Sequence, residues 1–262
     1  MIRTPSPSIF RPKTKIDRSL LAENRKLVDT INRRGVLRGT LSMGALALLG
    51  GCSVTDTPTM QTFLRGVSEW NDRVQGLLFR PNHLAPTFGE AQVVKPPRFN
   101  AHFDIEDLKP VDAKTWKLEL AGLIKDKRPW TAAQLDALPQ QEWIVRHICV
   151  EGWDYIGQWS GVNLKTFLER VGADLTAKYV AFTCADDYTE SLDMASALHP
   201  QTILATRYAR EPLTDPFGSP LRLRTAVKLG FKNAKWITAI EVTNTFPDTF
   251  WRKQGFNWFA GI

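Results

Sequence analysis

The chain has 262 residues, 43% of them hydrophobic, which is enough for one large domain with a substantial core, and its formal net charge is +7. Ten of its 34 basic residues and three of its 27 acidic residues lie within residues 1–52, so the rest of the chain carries 24 of each and is neutral. No nucleic-acid partner is indicated, because the cationic excess belongs to the leader.

Residues 1–52 are predicted to be an export segment. Residues 32–38 carry paired arginines, an apolar pair and a further arginine, which resembles a twin-arginine signal. The apolar stretch 40–51 is shorter than the roughly 20 residues that span a bilayer. It ends in Leu-Gly-Gly-Cys, which resembles a bacterial lipobox with Cys52 as the lipidated residue. We therefore expect export by the twin-arginine translocase to the periplasm and membrane contact through Cys52; the alternative is a cytoplasmic arginine-rich helix.

Residues 53–96 are predicted to form a tether, an amphipathic helix and an irregular lead-in. Apolar residues between 60 and 79 recur with the spacing of one helix face. Such a face usually docks on its own domain, and the alternative is a membrane-surface or partner role. Four prolines between 81 and 97 keep the following segment irregular.

Residues 97–262 are predicted to be the main domain, of class α+β. Short strands mix with short helices and long loops, without the regular alternation of a Rossmann fold. The helix at 131–138 begins with a capping box, Thr131 with Gln134. The other predicted helices are 163–171 and 191–198, a loop is predicted at 212–220, and the predicted strands are 116–120, 143–149, 179–184, 203–208, 221–223 and 236–242.

Cys149 is the residue whose role decides the function. It follows a predicted strand and has no Cys or His at the spacing of a zinc site. Four roles are open from the residues alone: a packed core thiol, half of a disulfide with Cys184, a nucleophile paired with His102 or His147, and the single protein ligand of a cofactor metal.

Two polar clusters could hold a cofactor. Asn100, His102 and Asp104, with phenylalanines at 99 and 103, could hydrogen-bond and shield a heteroaromatic ring. A second cluster is cationic and interleaved with glycine and aromatic residues, so it could bind a phosphate; the alternative is a solvated strand-loop face. Its members are Arg222, Arg224, Lys228, Lys232 and Lys235. His199, which precedes a proline, is a further candidate for a hydrogen bond to a cofactor.

Four motifs in matching order resemble the sulfite-oxidase-type molybdopterin domain, and within it the branch of twin-arginine-exported methionine sulfoxide reductase catalytic subunits. They are Cys-Val-Glu-Gly-Trp at 149–153, Lys-Tyr-Val-Ala-Phe at 178–182, Leu-His-Pro-Gln-Thr at 198–202 and Gly-Phe-Lys-Asn-Ala-Lys-Trp-Ile at 230–237. The resemblance covers about residues 97–262. It implies a molybdopterin-binding domain of mixed sheets, short helices and long loops.

The resemblance also implies roles for single residues. Cys149 matches the thiolate that ligates molybdenum, and we expect His102 and Glu151 to act beside it in catalysis. Phe217 departs from the family pattern, which has an asparagine there. The expected cofactor-binding residues are Asn100, His102, Phe103, Asp104, Cys184, His199, Arg222, Lys228, Lys232, Asn233, Ala234 and Lys235.

The implied activity is two-electron oxygen-atom transfer on a small substrate at molybdenum bound to molybdopterin. No haem-attachment or iron–sulfur motif is present in the sequence, so electrons must pass through a partner, which the family suggests is a membrane b-type cytochrome. The Glu151 carboxylate near the metal disfavours sulfite and favours a neutral sulfoxide. The alternatives are a sulfite dehydrogenase of the same family, a non-catalytic lipoprotein with a Cys149–Cys184 disulfide, and a cysteine hydrolase.

Overall fold

The computed structural model describes residues 58–262. Its mixed sheets and few short helices confirm the predicted α+β class. Residues 64–262 form a compact unit, and the division into a lead-in and a main domain at residue 97 stays a prediction. The predicted leader, Cys52 and most of the tether lie outside the described residues. Within residues 58–262, no helix is both long and apolar enough to cross a membrane.

Residues 58–262 hold nine strands and five α-helices. The helices are α1 (Pro58–Leu78), α2 (Ala132–Asp136), α3 (Leu164–Arg170), α4 (Met194–Ala197) and α5 (Phe250–Lys253). The strands are β1 (Glu119–Gly122), β2 (Gln140–Ile148), β3 (Asp154–Asn163), β4 (Tyr179–Cys184), β5 (Thr189–Asp193), β6 (Thr202–Tyr208), β7 (Glu211–Pro212), β8 (Arg222–Thr225) and β9 (Ile237–Thr243).

The strands form two sheets. The first has the order β1-β9-β4-β5, with β1 and β9 parallel and the other pairs antiparallel. The second has the order β2-β3-β6-β7, with β8 also paired to β6, and all its pairs are antiparallel. The β2–β3 hairpin and β8 belong to this second sheet, and both the turn of the hairpin and the loop after β8 carry residues of the site.

The larger core joins the two sheets. It combines first-sheet residues such as Val180 and Ile240 with Phe167 of α3 and Leu223 of β8. Each such side chain contributes roughly 1.5–3 kcal/mol when fully buried. A second core surrounds Trp159 within the second sheet.

The predicted helix at 191–198 is wrong, and strand β3 was not predicted. Residues 189–193 pair with β4, and α4 begins only where the Asp193 side chain accepts a hydrogen bond from Ser196 N at 2.9 Å. β3 was not predicted because glycines lower strand propensity. Gly161 is needed there, since a Cβ would lie 2.0 Å from the Leu204 carbonyl oxygen of β6.

The other predicted elements occur with shifted ends. The capping box at α2 is confirmed: Thr131 Oγ1 accepts from Gln134 N, and Gln134 Oε1 accepts from Thr131 N. Strand β4 has the predicted bounds. Its alternate residues Val180, Phe182 and Cys184 are buried, which is the two-residue period of a strand.

Candidate active site

The turn between β2 and β3 positions Cys149. Cys149 N donates to Trp153 O at 2.9 Å and Gly152 N donates to Cys149 O at 3.1 Å, so the chain reverses within five residues. Gly152 has φ of +91°, a conformation that favours glycine. The Cys149 side chain, 7% exposed, lines a cavity of about 170 Å³.

The Cys149 thiol lies in an environment that does not favour its free thiolate. Burial raises the pKa of Cys149, and the Glu151 carboxylate raises it further. The backbone N–H groups of Glu151 and Val150 and the Arg98 guanidinium lower this pKa to a smaller extent. A bound metal cation would deprotonate such a thiol outright. No histidine in the described chain is hydrogen-bonded to Cys149, and its raised pKa argues against an activated cysteine nucleophile.

Cys184 ends β4 and is buried away from the lining of this cavity. Burial raises its pKa well above the ordinary thiol value. Both cysteines of the described chain are free thiols, so the structure contains no Cys149–Cys184 disulfide.

Two buried arginines on β8 are held only by neutral acceptors. Arg222 donates to Phe217 O at 3.0 Å and stacks over Trp159 at 4.4 Å. Arg224 donates to Asn233 Oδ1 at 2.9 Å and to backbone carbonyls. Burial lowers the pKa of Arg222 and lowers that of Arg224 to about 10. The Nε of each has no hydrogen-bond partner in the described chain.

Lys235 is a third buried cation and lines the cavity. Its ammonium donates to Asn100 O and packs over the rings of Phe99 and Trp236, and burial lowers its pKa well below the ordinary lysine value. A Cβ at Gly218 would lie 3.1 Å from the Cβ of Lys235 and from that of Arg222. Both cations therefore pack on one glycine turn, and neither forms an ion pair with a carboxylate of residues 58–262.

His147 is a further buried group beside the site whose nitrogen atoms are unsatisfied. Its side chain is buried against Trp153 and Tyr155, and neither ring nitrogen has a hydrogen-bond partner in the part of the chain described. Burial lowers the pKa of His147 well below its usual value, and nearby cations, Arg224 foremost, lower it further. A neutral imidazole is therefore left with one donor and one acceptor unused.

These residues fit the molybdopterin that the resemblance implies. Buried cations without anionic partners are costly unless a bound anion compensates them, and Arg222 and Lys235 could hold a phosphate. The free nitrogens of His147 suit a polar heterocycle, because buried polar atoms are normally satisfied. The Cys149 thiolate is a soft ligand suited to molybdenum.

The structure brings some predicted site residues to the cavity and places others elsewhere. Asn100, His102, Glu151, Asn233, Ala234 and Lys235 line it together with Cys149. Asn233 also holds its own loop, because its Oδ1 accepts from Thr225 N at 2.7 Å. Phe103 packs on Trp236 and on His102, and Asp104 is exposed. For Phe103 and Asp104, as for Cys184 and Arg222, a cofactor contact stays a prediction.

Lys228, Lys232 and His199 are engaged within the protein. Lys228 Nζ lies 3.2 Å from Asp193 Oδ1, and Lys232 Nζ lies 2.5 Å from Glu190 Oε1. His199 Nε2 lies 3.0 Å from His83 O. None of the three lines the cavity, so their predicted contact with the cofactor is untested.

The sequence indicated His147 and Arg224, but not as residues expected to bind the cofactor: Arg224 was placed in the cationic cluster and His147 beside a possible nucleophile. His147 precedes Cys149 by two and Arg224 follows Arg222 by two, so strand periodicity could have placed both at the site. Tyr188, which lines the cavity and donates to Phe231 O at 2.7 Å, had no such signal. Nor did Arg98, whose guanidinium lies 4.4 Å from the Trp153 ring centroid although it is 51 positions before Cys149 in the chain.

The chain is similar in sequence to a molybdopterin-binding oxidoreductase domain and to proteins named as methionine sulfoxide reductase subunits. The family described as oxidoreductase molybdopterin binding domain matches residues 102–251. An Azospira oryzae protein provisionally named protein-methionine-sulfoxide reductase subunit YedZ1 is 48% identical over 236 residues, 90% of each chain. The protein-methionine-sulfoxide reductase catalytic subunits MsrP of Xanthomonas campestris and Campylobacter jejuni are each 33% identical over 159 residues.

The extent of these matches differs. The alignments cover 55% and 53% of this chain, and 49% and 53% of the two MsrP proteins, so the chain matches about half the length of those relatives. Among solved structures, the sulfane dehydrogenase SoxCD of Paracoccus pantotrophus aligns with a TM-score of 0.49 at 18% identity, covering 53% of this chain and 40% of that one.

Proposed function

The chain belongs to the oxidoreductase molybdopterin binding domain family and is an oxidoreductase that uses molybdopterin with molybdenum, and from this premise we propose that it reduces methionine sulfoxide or a closely similar sulfoxide. Reduction of a sulfoxide takes up two electrons and two protons and gives a thioether and water. The names of the relatives support this substrate class.

The observation that carries the proposal is the aromatic wall of the cavity in front of Cys149. Tyr188, Phe231, Trp251 and Phe256 line it. Thioether sulfur makes favourable contacts with aromatic rings, so this wall suits a methionine-derived side chain. A neutral sulfoxide also avoids the repulsion that an anion would meet from Glu151.

The residues divide the work of the site. Cys149 would hold the metal, and Arg222, Lys235 and His147 would hold the pterin and its phosphate. When bound, the molybdenum supplies the two-electron chemistry. His102 and Asp186, with Nδ1 and Oδ2 3.8 Å apart at the cavity, are placed to supply protons, and burial raises the pKa of Asp186. Glu151 is oriented by a 2.6 Å hydrogen bond from Trp153 Nε1.

We also propose where the enzyme works. The paired arginines at 33 and 34 and the Leu-Gly-Gly-Cys at 49–52 support export by the twin-arginine translocase, a periplasmic location and a lipid on Cys52. The relatives' names as reductase subunits support a partner that delivers electrons, for which a membrane b-type cytochrome is the candidate.

A second candidate reaction is sulfite oxidation, and Arg98 is the observation that favours it. Its guanidinium lies close enough to Cys149 to lower the thiol pKa, and a cation there could attract an anionic substrate.

One experiment separates the two reactions. Protein matured in a host that makes molybdopterin is assayed with a methionine sulfoxide peptide and reduced dye, and with sulfite and an oxidised dye. We expect stoichiometric molybdenum and turnover of the sulfoxide. Efficient sulfite oxidation without sulfoxide reduction would overturn the proposed substrate, and Arg98→Gln should then raise the KM for sulfite.

A further inference from the structure

Helix α1 is attached to the compact unit by polar groups on one edge. Phe259 N donates to Asp72 Oδ1 at 2.6 Å, and Gly261 N donates to Gln75 Oε1 at 3.0 Å. Asn257 Nδ2 donates to the carbonyl oxygen of Ser68 at 3.3 Å. At 100° per residue, Ser68, Asp72 and Gln75 lie within an arc of about 60°.

The exposed apolar face of α1 lies beside this attachment. We define it as Leu64, Val67, Trp70, Leu77 and Leu78, which span an arc of about 140° next to the attached edge. Trp70 is 64% exposed, Leu77 86% and Leu78 74%, and no residue of the helix is buried. The usual arrangement of an amphipathic surface helix is therefore absent here, because such a helix normally turns its apolar stripe toward the core.

An apolar cleft continues this surface. It has a volume of about 580 Å³ and begins at Leu78, where the helix ends. Leu84 and the half-exposed Ile262 lie at its wall, and Val227 and Ile148 line it further in. Apolar surface thus extends from the helix into the body of the unit.

We propose that the apolar face of α1 lies in the surface of a phospholipid membrane. Tryptophan and leucine on one side, with charged residues on the other, are the composition of interfacial helices, whose apolar faces enter about 5–10 Å into the boundary of headgroups and acyl chains. Arg73 lies about 40° from Leu77 at the border of the face, where a cation can reach lipid headgroups.

The position of the helix in the chain supports this occupant. Six residues lead from Cys52 to Pro58, a span of at most about 20 Å. A lipid on Cys52 would therefore keep the helix near the bilayer. The inference rests on the proposed membrane location and not on the proposed substrate.

The helix face alone is smaller than a stable protein interface. Residues 64–78 form about 22 Å of helix some 10 Å wide, a projected area of about 220 Å². A stable protein interface buries about 800 Å² on each partner. Binding to a membrane surface does not require an area of this size, because the helix would add its contacts to those of the proposed lipid on Cys52.

The experiment measures the depth of Trp70. The full chain, purified after export with its cofactor, is mixed with phospholipid vesicles with and without bromine on the acyl chains. Subtracting the fluorescence of a Trp70→Phe variant isolates Trp70, and we expect bromine to quench this difference signal. Leu77→Gln/Leu78→Gln should abolish the quenching, whereas Leu123→Gln, at a half-exposed leucine after β1, should leave it unchanged.

Two outcomes would overturn the inference. One is equal Trp70 emission with both kinds of vesicle. The other is a change in Trp70 emission that requires membranes containing proteins and does not occur with pure lipid, which would indicate a protein occupant. Sulfoxide reduction with a soluble reduced dye should be the same in all three variants and in wild type, so failure of the proposed reaction is detected separately.

Discussion

Nζ of Lys232 lies 2.5 Å from Oε1 of Glu190, and each side chain is at most 1% exposed. The second carboxylate oxygen lies 3.1 Å from Tyr188 OH, and Ser191 N donates to the first at 2.8 Å. Lys232 therefore neutralises a buried carboxylate behind the cavity wall that Tyr188 and Phe231 form. This pairing distinguishes Lys232 from Lys235, whose ammonium forms no ion pair with a carboxylate of residues 58–262.

Removing Lys232 should destabilise the fold. Lys232→Met leaves Glu190 buried and unpaired, which costs about 3–5 kcal/mol of unfolding free energy. Urea unfolding of the cofactor-free protein measures this, and the double variant Lys232→Met/Glu190→Leu should recover much of the loss. Unchanged stability together with loss of molybdenum would show instead that Lys232 serves the cofactor.

Exchange of the two described cysteines should have unequal effects. Cys149→Ser should remove molybdenum redox activity, because a serine hydroxyl lacks the soft thiolate that the metal requires. Cys184→Ser, at a buried thiol outside the cavity lining, should keep the metal and cost stability of about 1–3 kcal/mol through the buried hydroxyl. Molybdenum content and sulfoxide turnover of the two variants measure these effects. A Cys149→Ser variant that still reduces the sulfoxide would exclude Cys149 as the metal ligand.

The Lys235 ammonium should stabilise the cofactor-bound protein and not the cofactor-free protein. Lys235→Met should weaken cofactor retention at least about tenfold, since a charge-assisted hydrogen bond to phosphate contributes about 1.5–3 kcal/mol. The same change should leave the empty protein as stable or more stable, because a buried unpaired charge is removed. Thermal unfolding with and without cofactor measures both effects. Arg207→Met, at an exposed arginine, is the control and should change neither.

Gly230 allows the 229–233 loop to approach His147 closely. A Cβ there would lie 2.7 Å from His147 Nε2 and 3.3 Å from Ile148 O. Gly230→Ala should therefore displace the imidazole or the loop, lower activity and reduce the unfolding free energy by about 1–3 kcal/mol. Gly66→Ala, in α1 with open space around it, should instead stabilise by about 0.5–1 kcal/mol without loss of turnover. Equal activity of both variants would mean that the imidazole needs no fixed place.

The sequence predicted features that local chemistry determines. The alternation of buried residues in β4 and the Thr131 capping box both depend on neighbouring positions. Cys149 could be singled out for the same reason, since its lack of nearby ligands is a local property. The resemblance then indicated the family.

Contacts between distant residues could not be predicted in this way. Lys232 and Glu190 are 42 positions apart, and nothing in the five cations from 222 to 235 indicates which of them meets a carboxylate. Arg98 reaches Trp153 from a separate loop. The exposure of the α1 apolar face is also a tertiary property. The spacing of apolar residues predicts that the helix has an apolar face, but not whether that face lies against the core or in solvent.

Lys228 provides a test by pH, because burial lowers its pKa from 10.5 to about 8 despite Asp193 at 3.2 Å. The unfolded chain then binds this proton more strongly than the folded one. Below about pH 8 both states bind the proton, and the whole difference in proton affinity lowers the unfolding free energy. Stability from this group rises with pH between about 8 and 10.5, by about 3 kcal/mol in all. Lys228→Met lacks the group, so the unfolding free energy of wild type relative to the variant should increase across this window. Lys127→Met, at an exposed lysine, should follow wild type throughout.

Parallel profiles of wild type and Lys228→Met would mean that the Lys228 ammonium stays fully charged in the fold, stabilised by Asp193 and by the Phe259 ring at 3.0 Å.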